Sequence, residues 1–348
     1  MKQVSIEQLV RPIIKEIIPY RSARDEFEDF DAEKIFLDAN ENPFENGFNR
    51  YPDPLQRKLK RTLADVKQVK SEQILLGNGS DEVLDLIFRT FCEPGEEEVL
   101  ILPPTYGMYS VLAKLNNIFV KEVPLNKNFE IEIDSVLEAV NQKTKIIFIC
   151  SPNNPSGNAI PLDQIVQLLD LFKGILVVDE AYIDFSEQKS ALSILDQYPQ
   201  LLVCQTFSKA YGLAGIRLGM CYANPLIIDY FNKIKPPYNV NSLTQSRALA
   251  QLETSESIQN QVISLISERK KLEQELKQFD FVSKIYPSDA NFLLVVVDDA
   301  NKRYDQFLDA GVVLRNRSRL QGCNNALRVT VGTPEENTNF IKICKIID

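Results

Sequence analysis

The chain has 348 residues, with 39 Lys and Arg against 48 Asp and Glu, for a formal net charge of −9. At roughly 100–200 residues per domain the length predicts a large domain and a smaller one, and an acidic balance with scattered basic residues speaks against a nucleic-acid partner. Histidine is absent altogether, which excludes His-based triads, His-ligated metals and imidazole bases, so proton transfer must use Lys, Tyr, Asp, Glu or a cofactor.

The opening run MKQVSIEQLVRPIIKEIIPY is broken by Lys, Glu and Arg. No segment reaches the ~18 apolar residues of a membrane span, so neither membrane insertion nor secretion is expected. The six cysteines are scattered without a CxxC pair, as expected of reduced thiols in a cytoplasmic protein.

Residues 1–45 read as an arm that packs on other parts of the protein. Residues 46–240 read as the large domain. There the apolar runs EEVLIL, TKIIFIC, GILVVD and LLVCQTF alternate with helical segments such as DEVLDLIFRTF and LDQIVQLLDLF. Fully apolar strands alternating with helices predict an α/β fold with a mostly parallel sheet covered on both faces. After Pro236 and Pro237 the pattern changes to long helical stretches, then to FLLVVV, GVVLR and ALRVTV and a last helix. Residues 241–348 therefore read as a smaller α+β domain.

In an open α/β sheet, ligands sit beyond the carboxyl ends of the strands. The first such end, LLGNGSDEVLDLIF, sets Gly79, Ser80 and Asp81 at the start of a helix. Its free N–H groups suit a phosphate, and glycine permits close approach, although Ser and Asp there are also ordinary caps. In PPTYGMY, Tyr106 follows EEVLIL, where its ring could stack on a planar cofactor or serve as core. In SPNNPSG, after TKIIFIC, Asn154 can donate an amide hydrogen to a ring oxygen.

In GILVVDEAYIDF, Asp179 ends a strand and Tyr182 follows. A buried carboxylate keeps a pyridine nitrogen protonated, so that the ring can accept electrons, and Tyr182 could bond the ring's phenolic oxygen. The sharpest segment is TFSKAYGLAGIRLG. Lys209 lies there between the hydroxyls of Thr206 and Ser208 and the cation Arg217, and a lysine desolvated beside a cation becomes a nucleophile able to form an imine.

In this order and spacing, GNGSDE, PTYGMY, SPNNPSG, VVDEAY and TFSKAYGLAGIRLG resemble the fold-type I aminotransferases. IIPYRSAR, LDANENP, RYPDP and VVLRNRSRLQGCNNALRVTVGTPEEN are similar to the histidinol-phosphate branch of that family. The resemblance implies pyridoxal 5′-phosphate as cofactor and a large domain with a seven-stranded, mostly parallel sheet. It implies Lys209 holding the cofactor as a Schiff base and moving the substrate proton, with Asp179 at the pyridine nitrogen and Asn154 and Tyr182 at the phenolic oxygen. The cofactor phosphate is expected among Gly79, Ser80, Thr206, Ser208 and Arg217. Tyr51 is expected to reach in from a second copy, which implies a homodimer, with the arm of residues 1–45 packing on the small domain and on the partner. Arg328, Arg315, Tyr20 and Asn40 are the implied substrate residues. The implied substrates are L-histidinol phosphate, glutamate and 2-oxoglutarate.

Other readings of the same residues are an aromatic aminotransferase or an L-threonine-phosphate decarboxylase on this scaffold, a cofactor-binding regulatory protein, and a lysine aldolase without the cofactor. The aldolase leaves Asp179, the GSDE loop and Arg217 without a common purpose.

Overall fold

The computed structural model describes residues 4–26 and 34–348; residues 1–3 and 27–33 of the expected arm lie outside the described residues. The arm carries two short helices, α1 (Ile6–Leu9) and α2 (Pro12–Glu16). They bury Ile6, Val10 and Ile14 against the helices of the large sheet, and Arg11 pairs with Glu93 at 3.1 Å. This part of the arm therefore lies on the large sheet's helical layer rather than on the smaller lobe.

The large unit follows as α3 (Arg57–Lys67), β1 (Ile74–Asn78), α4 (Ser80–Phe91), β2 (Glu98–Ile101), α5 (Met108–Leu115), β3 (Phe119–Glu122), α6 (Ile133–Ala139), β4 (Thr144–Cys150), α7 (Leu162–Leu171), β5 (Ile175–Asp179), β6 (Leu201–Thr206), β7 (Leu218–Tyr222) and α8 (Pro225–Ile234). The strands form one seven-stranded sheet in the order β1-β7-β6-β5-β4-β2-β3. Only β7 runs against its neighbours.

Every residue of β5, β6 and β7 is buried. Two apolar clusters cover the two faces of the sheet, and each Val, Leu, Ile or Phe so buried contributes about 1.5–3 kcal/mol relative to exposure. Helix α4 shows how sequence sets an element. Asp81 and Glu82 in its first turn and Arg89 in its last complement the helix dipole, while Val83, Leu84, Ile87, Phe88 and Phe91 make one buried stripe.

The smaller unit follows α9 (Ser242–Leu252) and the 22-residue α10 (Ser255–Leu276). It comprises β8 (Val282–Ile285), β9 (Phe292–Val297), α11 (Ala300–Asp309), β10 (Arg315–Asn316), β11 (Ala326–Thr330) and α12 (Pro334–Ile347). Its four strands pair antiparallel in the order β10-β11-β9-β8. The expected strand GVVLR is mostly a connection. Gly311 turns the chain at φ +82°, the Val312 N–H closes the end of α11 onto the Phe307 carbonyl at 2.8 Å, and Val313 is exposed, so only Arg315 reaches the ladder.

Candidate active site

The carboxyl ends of β1, β2, β4, β5 and β6 share one edge of the sheet. Because β7 is reversed, the residue preceding it, Arg217, comes to that same edge. There a cavity of about 160 Å³ is lined by Ser80, Asp81, Tyr106, Cys150, Asn154, Asp179, Ala181, Tyr182, Thr206, Ser208, Lys209, Ala214 and Arg217. Five loops separated by up to 137 residues thus place most of the sequence-selected residues around one volume.

Asp179 is only 4% exposed. Its Oδ2 accepts from the Tyr109 hydroxyl at 2.8 Å, and its Oδ1 accepts from the Ala181 N–H at 3.2 Å. Burial raises its pKa, while the Tyr109 bond works in the opposite direction. No Lys or Arg forms an ion pair with this carboxylate among the described residues. Tyr109 escaped sequence reading because a tyrosine on the inner face of a helix looks like core; it is fully buried, stacked on Phe148 at 4.8 Å.

Lys209 is accessible at the mouth, and its Nζ stands 5.4 Å from the centre of the Tyr182 ring. Crowding by the surrounding atoms, then the positive field of Arg328, lowers its pKa, against a raising influence from Asp179. A lowered pKa shifts a lysine towards the neutral form that a nucleophile or proton acceptor uses.

On the opposite wall, Asn154 and Tyr182 are both buried and 3.4 Å apart, amide to hydroxyl. Asn154 Oδ1 accepts from Arg328 Nη1 at 2.6 Å, which brings a smaller-unit arginine to the cavity. Tyr106 donates to Asp81 Oδ1 at 3.0 Å and meets Tyr109 edge-on at 5.6 Å, so its ring is held as a wall. Burial, then Asp81, pushes the Tyr106 pKa upward.

Gly79 stands behind this wall at φ +82°, and a Cβ there would lie 2.6 Å from Arg217 Nη2. Only glycine lets the guanidinium cross the N-terminus of α4. Arg217 approaches Asp81 at 3.9 Å, Thr206 Oγ1 donates to the Leu218 carbonyl at 3.2 Å, and the Ser208 N–H donates to Thr206 Oγ1 at 3.1 Å, which closes the turn that carries Lys209.

The structure does not bring every selected residue together. Arg315 lies opposite Arg328 in the β10–β11 pairing. Tyr20 is 77% exposed and does not line the cavity. Asn40 and Tyr51 line a separate cleft, where Tyr51 is 50% exposed and stacks on Tyr238 at 4.4 Å.

The model of the family "Aminotransferase class I and II" matches residues 27–343. The chain belongs to this family. Among similar proteins of the aminotransferase family, one from Flavobacterium johnsoniae called histidinol-phosphate aminotransferase is 55% identical, with all of both chains covered. One of the same name from Christiangramia forsetii is 56% identical, covering 100% of this chain and 99% of the other. Among solved structures, the histidinol-phosphate aminotransferase from Clostridium acetobutylicum aligns with TM-score 0.80 at 25% identity, over 86% of this chain and 91% of that one. The L-threonine-O-3-phosphate decarboxylase from Porphyromonas gingivalis shares the aminotransferase fold, with TM-score 0.72 at 24% identity over 84% and 91%.

Proposed function

We propose that this chain transfers the amino group of L-histidinol phosphate to 2-oxoglutarate with pyridoxal 5′-phosphate as cofactor, giving imidazole-acetol phosphate and L-glutamate, a step of histidine biosynthesis. One observation carries it: Lys209 and Asp179 line one cavity whose wall residue Asn154 is bonded by Arg328, in a chain 55% identical from end to end to a relative called histidinol-phosphate aminotransferase.

The residues fit the cofactor. Asp179 is a carboxylate whose pKa burial raises, and a protonated ring nitrogen beside it would favour its ionised form. The α4 N-terminus, Gly79, Ser80, Thr206, Ser208 and Arg217 form a cradle for a phosphate dianion. When bound, the ring supplies a sink for the electron pair released at the substrate's α-carbon.

Asp179, fixed by Tyr109 and the Ala181 N–H, keeps the ring nitrogen protonated. Asn154 and Tyr182 offer an N–H and an O–H to the ring's phenolic oxygen, and Tyr106, braced by Asp81, covers the ring face. Lys209 anchors the cofactor between turnovers. Its Nζ would take the proton from the substrate's α-carbon and hand it to the cofactor carbon that receives the amino group, and would run the same shuttle backwards in the second half-reaction. Its lowered pKa shifts that nitrogen towards the neutral, proton-accepting form. Arg328 and Arg315 bind the anionic end of either substrate, and neither half-reaction needs imidazole or a metal.

The reading includes a homodimer. Ile13, Ile18, Tyr20, Ile35, Leu37, Phe44, Phe48 and Tyr51 form a concentration of exposed large apolar side chains in the arm and the few residues after it, which is the mark of a surface that meets protein. Tyr51, which lines a separate cleft and not its own cavity, then serves the partner's cofactor phosphate, with Tyr20 and Asn40 completing a substrate site. Residues 46–240 form the cofactor domain and 241–348 the smaller one. No helix among the described residues is long and apolar enough to cross a membrane, and six buried free thiols suit a cytoplasmic enzyme.

The test is product analysis. With L-histidinol phosphate and 2-oxoglutarate the loaded chain forms glutamate; faster glutamate formation from phenylalanine, or release of carbon dioxide from L-threonine phosphate, overturns the substrate assignment.

A further inference from the structure

The β10–β11 hairpin concentrates positive charge that no carboxylate among the described residues pairs with. Arg315 and Arg328 are direct cross-strand partners, a placement in which like charges destabilise a sheet. Arg317 follows two residues after Arg315, and side chains two apart on an extended chain share a face. Its N–H continues the ladder by donating to the Ala326 carbonyl at 2.8 Å. A turn fixes it: Asn316 Oδ1 accepts from the Ser318 N–H at 2.9 Å, and the Arg317 carbonyl accepts from the Leu320 N–H at 2.9 Å.

Three guanidinium groups thus share one face, and none has a carboxylate partner among the described residues. Nε of Arg317, Nε of Arg328 and the Ser318 hydroxyl are buried without hydrogen-bond partners. Buried donors of this kind are rare, and water or a bound anion is what satisfies them. Burial, then the fields of Arg328 and Arg315, lower the Arg317 pKa to about 10, while Tyr182, on the cavity wall, acts in the opposite sense. Arg319, the next arginine, is exposed.

We propose that Arg317 is a specificity-determining residue: with Arg315 and Arg328 it forms a three-guanidinium seat for a doubly charged anion, the phosphate monoester end of the amine substrate. A phosphate dianion presents three strongly accepting oxygens and two charges to these donors, whereas a carboxylate presents two oxygens and one charge. The seat therefore separates a phosphate-bearing amine from the same amine without its phosphate. Its placement rests on the aminotransferase reading; its chemistry, recognition of a dianion, does not.

The experiment compares wild type with Arg317→Gln, Arg317→Lys and the exposed-site control Arg319→Gln, each loaded with cofactor so that the cofactor's own phosphate cradle is filled. Inorganic phosphate and acetate are titrated calorimetrically, and kcat/KM is measured for L-histidinol phosphate and for L-histidinol. In Arg317→Gln, phosphate binding and kcat/KM for L-histidinol phosphate fall at least about tenfold, while L-histidinol and acetate are unaffected. Arg317→Lys is intermediate, and Arg319→Gln changes less than about twofold. Equal losses for the two amines, or phosphate binding indifferent to both Arg317 variants, overturn the proposal. Arg317-dependent phosphate binding in a chain that converts neither amine leaves the seat standing and removes the substrate assignment instead.

Discussion

Tyr109→Phe isolates the contact that governs Asp179. The replacement keeps the stack on Phe148 at 4.8 Å and the edge contact with Tyr106 at 5.6 Å, so the loss is confined to one hydroxyl, 2.8 Å from Asp179 Oδ2 in fully buried surroundings. A hydrogen bond to a charged group is worth about 1.5–3 kcal/mol, or roughly one to two pKa units. Burial already raises the Asp179 pKa and the Tyr109 bond opposes it, so removing the bond raises it further. An acid with a raised pKa is favoured in its protonated form. The ionised form that pairs with a ring nitrogen is therefore present above that pKa and lost as pH falls through it. Spectrophotometric titration of the cofactor-free chain with pyridoxal 5′-phosphate across pH will show the acid limb of affinity moved upward by about one to two units. The plateau above it changes little, because the hydroxyl is missing from both free and loaded forms. A uniform loss of affinity at every pH, with the limb unmoved, refutes the reasoning.

Three further outcomes follow from the same geometry. Lys209→Ala keeps the circular dichroism spectrum and binds the cofactor without a covalent link, while turnover falls to near zero; surviving turnover removes Lys209 from the chemistry. Gly79→Ala, at φ +82° and ψ 166° and against Arg217, carries backbone strain of about 1–3 kcal/mol, and equilibrium dialysis will show weaker cofactor binding. Glu41→Ala removes the acceptor shared by Arg24 Nη2 at 2.7 Å, Arg50 Nη1 at 2.8 Å and the Tyr51 N–H at 2.6 Å. Buried Arg24 keeps Asp38 as its second carboxylate partner, so the cost is about 1–3 kcal/mol, and limited proteolysis will cut residues 34–51 faster than in wild type.

The cofactor cavity was legible because its residues interrupt apolar strands at their carboxyl ends, where an Asp179 or a Lys209 has no role in packing. Strand direction was not legible: LGMCY is apolar throughout, so only the assembled sheet reveals the reversal that delivers Arg217. Tyr109 hid among helix core positions, and Arg317 looked like one more solvated cation between Arg315 and Arg319. The run GVVLR has strand-like residues, but the glycine that ends the preceding helix claims its first half. Tyr20, Asn40 and Tyr51 are motif residues that do not line the chain's own cavity, and nothing in their local sequence foretells that.

The central claim is tested most directly by the visible absorption of the purified, cofactor-loaded chain before and after addition of L-histidinol phosphate, with phenylalanine and L-threonine phosphate added in parallel. The account predicts a lysine-linked absorption band that L-histidinol phosphate converts, faster than either other amine, into that of the aminated cofactor. Absence of any lysine-linked band contradicts the role of Lys209, and faster conversion by another amine contradicts the substrate.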